Sequence, residues 1–314
     1  MHPALPTNAN KTGIAMKKTE YDQKALKEIH EWKNPQVGWF DKALKVINEP
    51  LNAAGNAVLS TPVVGEAIQK AVKGLISVCN DAAQWSVRPE AILEEYRSDG
   101  HVHVKSLKDV SGLSLEDADK TVGWLAAKYK GLALAEGAGA GAVGIAGIAI
   151  DIPTLIALNL RAIGEYATYY GFDIERQEER LFAFNILALS SSPADASKNV
   201  AMAQLVKISQ QVAKKQTWKQ LEQHAFVKII QQIASSLGVK ITKAKLAQII
   251  PVAGAVVGGG FNAYFTSNVC EAAYYLYRER FLAEQYGPSV IDQSVEPAAT
   301  FEPDLPDALE GELL

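Results

Sequence analysis

Residues 136–153 read EGAGAGAVGIAGIAIDIP, and within them Gly139, Gly141 and Gly144 spell G-x-G-x-x-G. A dinucleotide cradle needs a strand before such glycines and a helix opening within them, because the phosphate oxygens rest on that helix's N-terminal amides. The residues leading in, KTVGWLAAKYKGLALAE, have helical spacing and no β-branched run. Glu165 stands at about the right distance to bind a ribose, but it lies in LRAIGEYATYY, which also reads as helix. No G-x-x-x-x-G-K-[ST] is present. The glycines therefore read as small residues on helices. Gly137 and Gly141 stand one turn apart, with Gly144 following, and Gly254 and Gly258 repeat that spacing. Glycine costs roughly 1 kcal/mol against alanine inside a helix. So many of them call for close helix contacts as compensation.

From this centre outward the chain reads as all-α, a single multi-helix domain with two central Gly-rich apolar helical hairpins. Residues 19–33 form a charged amphipathic helix stopped by Asn34-Pro35. Val64, Ile68, Val72, Leu75 and Cys79 make one apolar stripe after Pro62. Ser114 caps a helix with acids in its first turn, predicted to run through Trp124 and Leu125 toward Leu134. Asp151 is expected to cap a new helix with Pro153 in its first turn. Further helices are predicted over 174–189, 194–214 and 218–237, and a last one ends near Phe281–Leu282. His101-Val-His103-Val is the one extended piece. Both Gly-rich segments lead to an asparagine and then to paired tyrosines, Tyr169-Tyr170 and Tyr274-Tyr275, which suggests an internal duplication.

The chain has 314 residues and a formal net charge of −4, unevenly spread. Residues 288–314 hold seven acids and no Lys or Arg; without them the net charge is +3. Residues 1–16 read as a structureless leader, 17–287 as the helical domain and 288–314 as a disordered acidic tail. The body lacks the concentrated basic patch of a nucleic-acid binder, while weak attraction to an anionic membrane surface is allowed. Cys79 and Cys270 read as buried free thiols. The 25 uncharged residues between Lys245 and Glu271 have the length of a membrane span. Pro251, Gly258–Gly260, Asn262 and Asn268 dilute it, so a buried hairpin, or one that inserts conditionally, is the favoured reading.

DIPTLIALNLRAIGEYATYYGFD (151–173) resembles the EcsC family, as do WSVRPEAI (85–92) and PVAGAVVGGGFNAYF (251–265). The resemblance runs from about Lys17 to Tyr286. It implies a bacterial protein of a family named for a gene beside an ABC transporter that affects secretion and protein processing. It carries over no catalytic residues and no cofactor.

Candidate sites are few. Asp151, Asn159, Arg161 and Glu165 are the polar residues of an apolar stretch. Arg161 and Glu165 are spaced to pair on one helix face, and Asp151 is expected to pair with Arg278 on the second hairpin, near Asn262. Capping and internal salt bridges explain these residues most simply, and a polar pocket for a ligand or lipid headgroup is the functional alternative. His101 and His103 on one extended face would make a two-ligand metal clip, but nothing accompanies them and no metal site is assigned. Ser190-Ser191-Ser192 reads as a helix end with no nucleophile elbow. His30 and His224 read as surface residues. Trp32, Trp39 and Phe40, flanked by Lys33 and Lys42, suit either a core anchor or a bilayer interface. Phe301, Leu305 and Leu309 in the acidic tail have the spacing to fold onto a partner's groove.

The expectation is a non-enzymatic, membrane-associated accessory protein. It would be cytoplasmic, peripheral at the inner face, and partnered by the membrane surface or a membrane transporter. The alternative is a soluble enzyme or small-molecule binder using Asp151 and Arg161.

Overall fold

The computed structural model describes residues 17–33, 62–80, 86–140, 145–191 and 259–291, and the single positions Leu205, Leu237, Gly238 and Ile241. Among the described residues the regular elements are all helical. They are α1 (Glu20–Lys33), α2 (Pro62–Asn80), α3 (Pro89–Ser98), α4 (Leu107–Val110), α5 (Leu115–Val122), α6 (Leu125–Ala140), α7 (Ile145–Tyr169), α8 (Gln177–Ser190) and α9 (Gly259–Tyr286). A 3₁₀ turn follows at Pro288–Val290, and Ile291 beyond it is buried. Gly141, Gly144, Gly254, Gly258, Trp39, Phe40, His224, the leader, residues 292–314 of the acidic tail and, apart from Leu205 and Leu237, the helices predicted over 194–214 and 218–237 lie outside the described residues.

Helix α9 lies at the centre, packed along α6 and also touching α7, α8, α1 and α5. Its neighbours surround it, which explains why its apolar and polar residues show no simple stripe. Helix α7 runs parallel to it. Asn262 meets Asp151, Thr266 meets Asn159, Tyr274 meets Tyr166 and Phe281 meets Tyr170, so the contacts climb both helices together. The described parts of the two segments that rhyme in sequence thus lie side by side and point the same way.

Several local expectations are corrected. The helix capped by Ser114, whose hydroxyl accepts from the Asp117 N–H, ends at Val122. Gly123 turns the chain with φ +47, and Trp124 stands on the corner before α6 starts. Asp151 and Pro153 lie inside α7 rather than at its start. Proline removes the bond to the carbonyl four residues back, but its ring seats against Gly74 of α2. A β-carbon at Gly74 would come within 2.6 Å of the Pro153 ring, so this glycine allows the helices to touch. Helix α8 starts at Gln177, three residues after the expected 174, and α9 extends to Tyr286. His101–Val104 is a turn, closed by the Val104 N–H on the His101 carbonyl, not an extended segment. The two imidazoles meet edge to face at 6.2 Å.

Candidate functional site

The sequence Tyr277-Arg278-Glu279-Arg280 places three successive charges on the most buried helix. Successive residues on a helix point about 100° apart, so three charges in a row address different neighbours. Arg278 donates to Asp119 of α5 at 2.9 Å and to Glu28 of α1 at 3.0 Å. Glu279 accepts from Lys33 of α1 at 2.6 Å. Arg280 forms a two-pronged pair with Glu179 of α8, both bonds at 2.6 Å, and its guanidinium lies over the rings of Phe172 and Phe182. A buried ion is tolerated only when paired and hydrogen-bonded, and each of these has such a partner.

Asp119 is the hub of this cluster. Its Oδ1 accepts from the Tyr170 hydroxyl and its Oδ2 from the Tyr21 hydroxyl, both at 2.7 Å, with Arg278 on Oδ2 as well. Burial raises its pKa above the usual carboxylate value, against the lowering effect of Arg278 and the two hydroxyls. A general base needs a lone pair within reach of a substrate proton. Here both oxygens are engaged by the protein's own groups, so the hub reads as the joint that holds α1, α5, α7 and α9 together. Tyr286 on Asp22 closes the far end of α1 at 2.6 Å.

The six polar residues singled out from the sequence fall into separate groups. Asp151 accepts from Asn262 at 2.9 Å, and Asn159 donates to Thr266 at 3.1 Å and to its own helix at the Leu155 carbonyl. The side-chain oxygens of Asn159 and Asn262 are buried without a hydrogen-bond partner. Arg278 does not meet Asp151. Asn262, which does, lies sixteen residues earlier on α9, about 24 Å away at 1.5 Å per residue; Arg278 takes Asp119 and Glu28 instead. Arg161 pairs with Glu165 at 3.4 Å as its spacing predicts, and Lys128 of α6 joins the same carboxylate at 2.7 Å. Gly137 is buried in α6. Trp32 is half-buried and stacks on Tyr275 at 5.2 Å. His30 is exposed, and the Ser190 hydroxyl donates to the Ile186 carbonyl of its own helix. Cys270 is a buried free thiol with its pKa pushed up to about 12 by burial and the charge of Glu165. Among the described residues, no group of three or more His, Cys, Asp or Glu is placed to hold a metal ion.

The surface holds a different feature. Helix α6 buries Leu125, Tyr129, Ala133 and Gly137, while Ala126, Ala127, Lys128, Lys130, Gly131, Leu132, Leu134 and Ala135 are exposed. Its outward side is therefore nearly as apolar as its inward side. Trp124, on the corner before it, is 86 % exposed, and Ile150 early in α7 is exposed as well. This face is not legible in the sequence, where Trp124 reads as part of one helix running to Leu134. The signal available was a helix with apolar residues at every angle.

Fold and site together define an all-helical protein built on a buried ionic joint, with an apolar helix left on its outside. The chain belongs to the EcsC protein family, whose model matches residues 23–282. Two proteins of Bacillus subtilis (strain 168) are similar to it. One, described as uncharacterized protein YdbA, is 26 % identical over 266 residues, covering 83 % of this chain and 92 % of that protein. The other, Protein EcsC, is 28 % identical over 182 residues, 57 % of this chain and 70 % of that protein. No solved structure matches significantly.

Proposed function

We propose that this protein is a non-enzymatic accessory protein that works at a membrane surface, where it modulates a membrane transporter or the machinery of secretion and protein processing. The observation that carries this reading is α6, apolar on its outward side and headed by the exposed Trp124. A helix apolar all round is normally covered on every side. Exposed tryptophan with flanking lysines suits the boundary between headgroups and acyl chains. No helix among the described residues is long and apolar enough to cross a membrane, so contact at the surface is the mode proposed. The fully engaged oxygens of Asp119 support a non-catalytic role.

The second reading is a small-molecule binder along the seam between α7 and α9. It is favoured by the unused oxygens of Asn159 and Asn262, two acceptors in a buried place. It involves Asp151 more naturally than Arg161. The two lie ten residues apart on α7, about 15 Å; Asp151 is buried, while the Arg161 side chain is 40 % exposed.

Flotation of the purified protein with neutral and anionic vesicles, at low and high salt and after a carbonate wash, separates these readings. Salt-sensitive flotation supports peripheral contact. Binding that resists carbonate supports insertion instead. Absence of flotation under every condition removes the membrane reading and turns attention to the seam.

A further inference from the structure

Resting on the membrane reading, we infer that the outward side of α6 is the docking face, and that it selects anionic phospholipid bilayers through Lys128, Lys130 and Arg161. Taking Gly131 as the reference direction, Ala135 falls within about 40° of it and Lys128 within about 60° at 100° per residue. Ala127 and Leu134 lie on one flank of that line and Leu132 on the other, with Lys130 beyond Ala127. The exposed face thus has a small-residue centre, a tryptophan at one end, leucines on both shoulders and a lysine to either side.

Small residues at the centre let the helix lie flat against a surface. The lysine stems can rest on the apolar band while their ammonium groups reach outward. Charge favours an anionic partner. Lys130 is exposed on this face. Glu165 holds Lys128 at 2.7 Å and Arg161 at 3.4 Å through its Nε, with side-chain exposures of 49 % and 40 % against 9 % for the carboxylate. One buried carboxylate between two half-exposed cations leaves a net positive charge. It also leaves N–H groups on both cations pointing away from it, free for phosphate oxygens. Glu165 is a positioning residue: it fixes the two cations on the rim without reaching the surface itself. A second copy of the chain fits less well, because an isologous contact would bring the cations of both copies into one interface.

The test compares the wild-type protein with Trp124→Ser, Lys130→Gln and Lys24→Glu, the last an exposed change on α1. Trp124 and Lys130 are exposed, so these variants keep the buried joint intact, and thermal melting confirms equal folding. Flotation uses phosphatidylcholine vesicles with and without phosphatidylglycerol as a third of the lipid. Wild type and Lys24→Glu partition together onto the anionic vesicles. Lys130→Gln binds about fivefold more weakly, the effect of one basic group near an anionic surface, and Trp124→Ser about tenfold more weakly. Equal flotation of all four proteins overturns the docking face and leaves the membrane reading standing. A wild type that floats with neither vesicle overturns both. Dimers that Trp124→Ser converts to monomers, without flotation, assign the face to a second copy and overturn the inference.

Discussion

Replacing Glu179 by Ala strands Arg280 in the core. The pair is 2–3 % exposed, and its two 2.6 Å bonds are the charge-assisted kind, each contributing about 1.5–3 kcal/mol. Glu179 also sits in the first turn of α8, where the helix dipole adds about 0.3–1 kcal/mol. The rings of Phe172, Phe182 and Tyr277 remain around the guanidinium in both proteins, so they soften the loss without replacing the carboxylate. The expected cost is about 3–5 kcal/mol, the range for removing one partner of a buried pair. Glu179→Leu with Arg280→Met removes both charges and keeps the volume, so it should cost no more than about 1–2 kcal/mol. Urea unfolding followed by far-ultraviolet circular dichroism measures both. A single mutant that loses less than about 1 kcal/mol, or a double mutant as damaged as the sum of its two singles, would contradict a coupled, buried pair.

Three further outcomes are expected. Gly171 has φ +82 and a β-carbon there would stand 2.8 Å from the Leu107 carbonyl, whereas Gly100, at φ +100, has open space; Gly171→Ala should cost about 2 kcal/mol more than Gly100→Ala in parallel urea titrations. The Lys105 N–H and the Ser106 hydroxyl and N–H hold the Asp109 carboxyl below its usual pKa. A depressed folded pKa stabilises above the unfolded value and loses that effect as pH falls through the folded one. Asp109→Asn should therefore lose about 1 kcal/mol at neutral pH, as a broken capping box does, with the gap to wild type closing in acid. Cys270, with its pKa near 12 and no exposure, should ignore Ellman's reagent in a folded Cys79→Ser protein and react fully in guanidinium. Rapid labelling of the folded protein would show that the α9 core opens.

Local chemistry was readable wherever the partners are close in sequence. The Ser114 cap, the Arg161–Glu165 pair and the burial of Val72 and Leu75 in α2 all follow from spacings of three and four residues. The ionic joint was not readable, because its partners stand far apart along the chain: 246 residues from Lys33 to Glu279, and 101 from Glu179 to Arg280. A run such as Arg278-Glu279-Arg280 on an apolar helix announces buried pairing, but periodicity does not say which helix supplies the opposite charge. The Asp151–Arg278 expectation failed for that reason. It matched charges by sign, whereas the parallel course of α7 and α9 sets them far apart. Pro153 misled in another way. Its helix-breaking effect is offset by the notch at Gly74, 79 residues earlier, a contact that only tertiary structure creates. Trp124 was misplaced because Gly123 has a left-handed turn hidden within a helical pattern.

Tryptophan quenching by lipids brominated along the acyl chain reports whether α6 docks on a bilayer, because quenching requires the indole to sit within contact range of the bilayer interior. Docking through Trp124 predicts that emission of the wild-type protein falls on anionic brominated vesicles and that the quenched fraction disappears in Trp124→Phe. Quenching of equal size in the two proteins, or none in either, would contradict it.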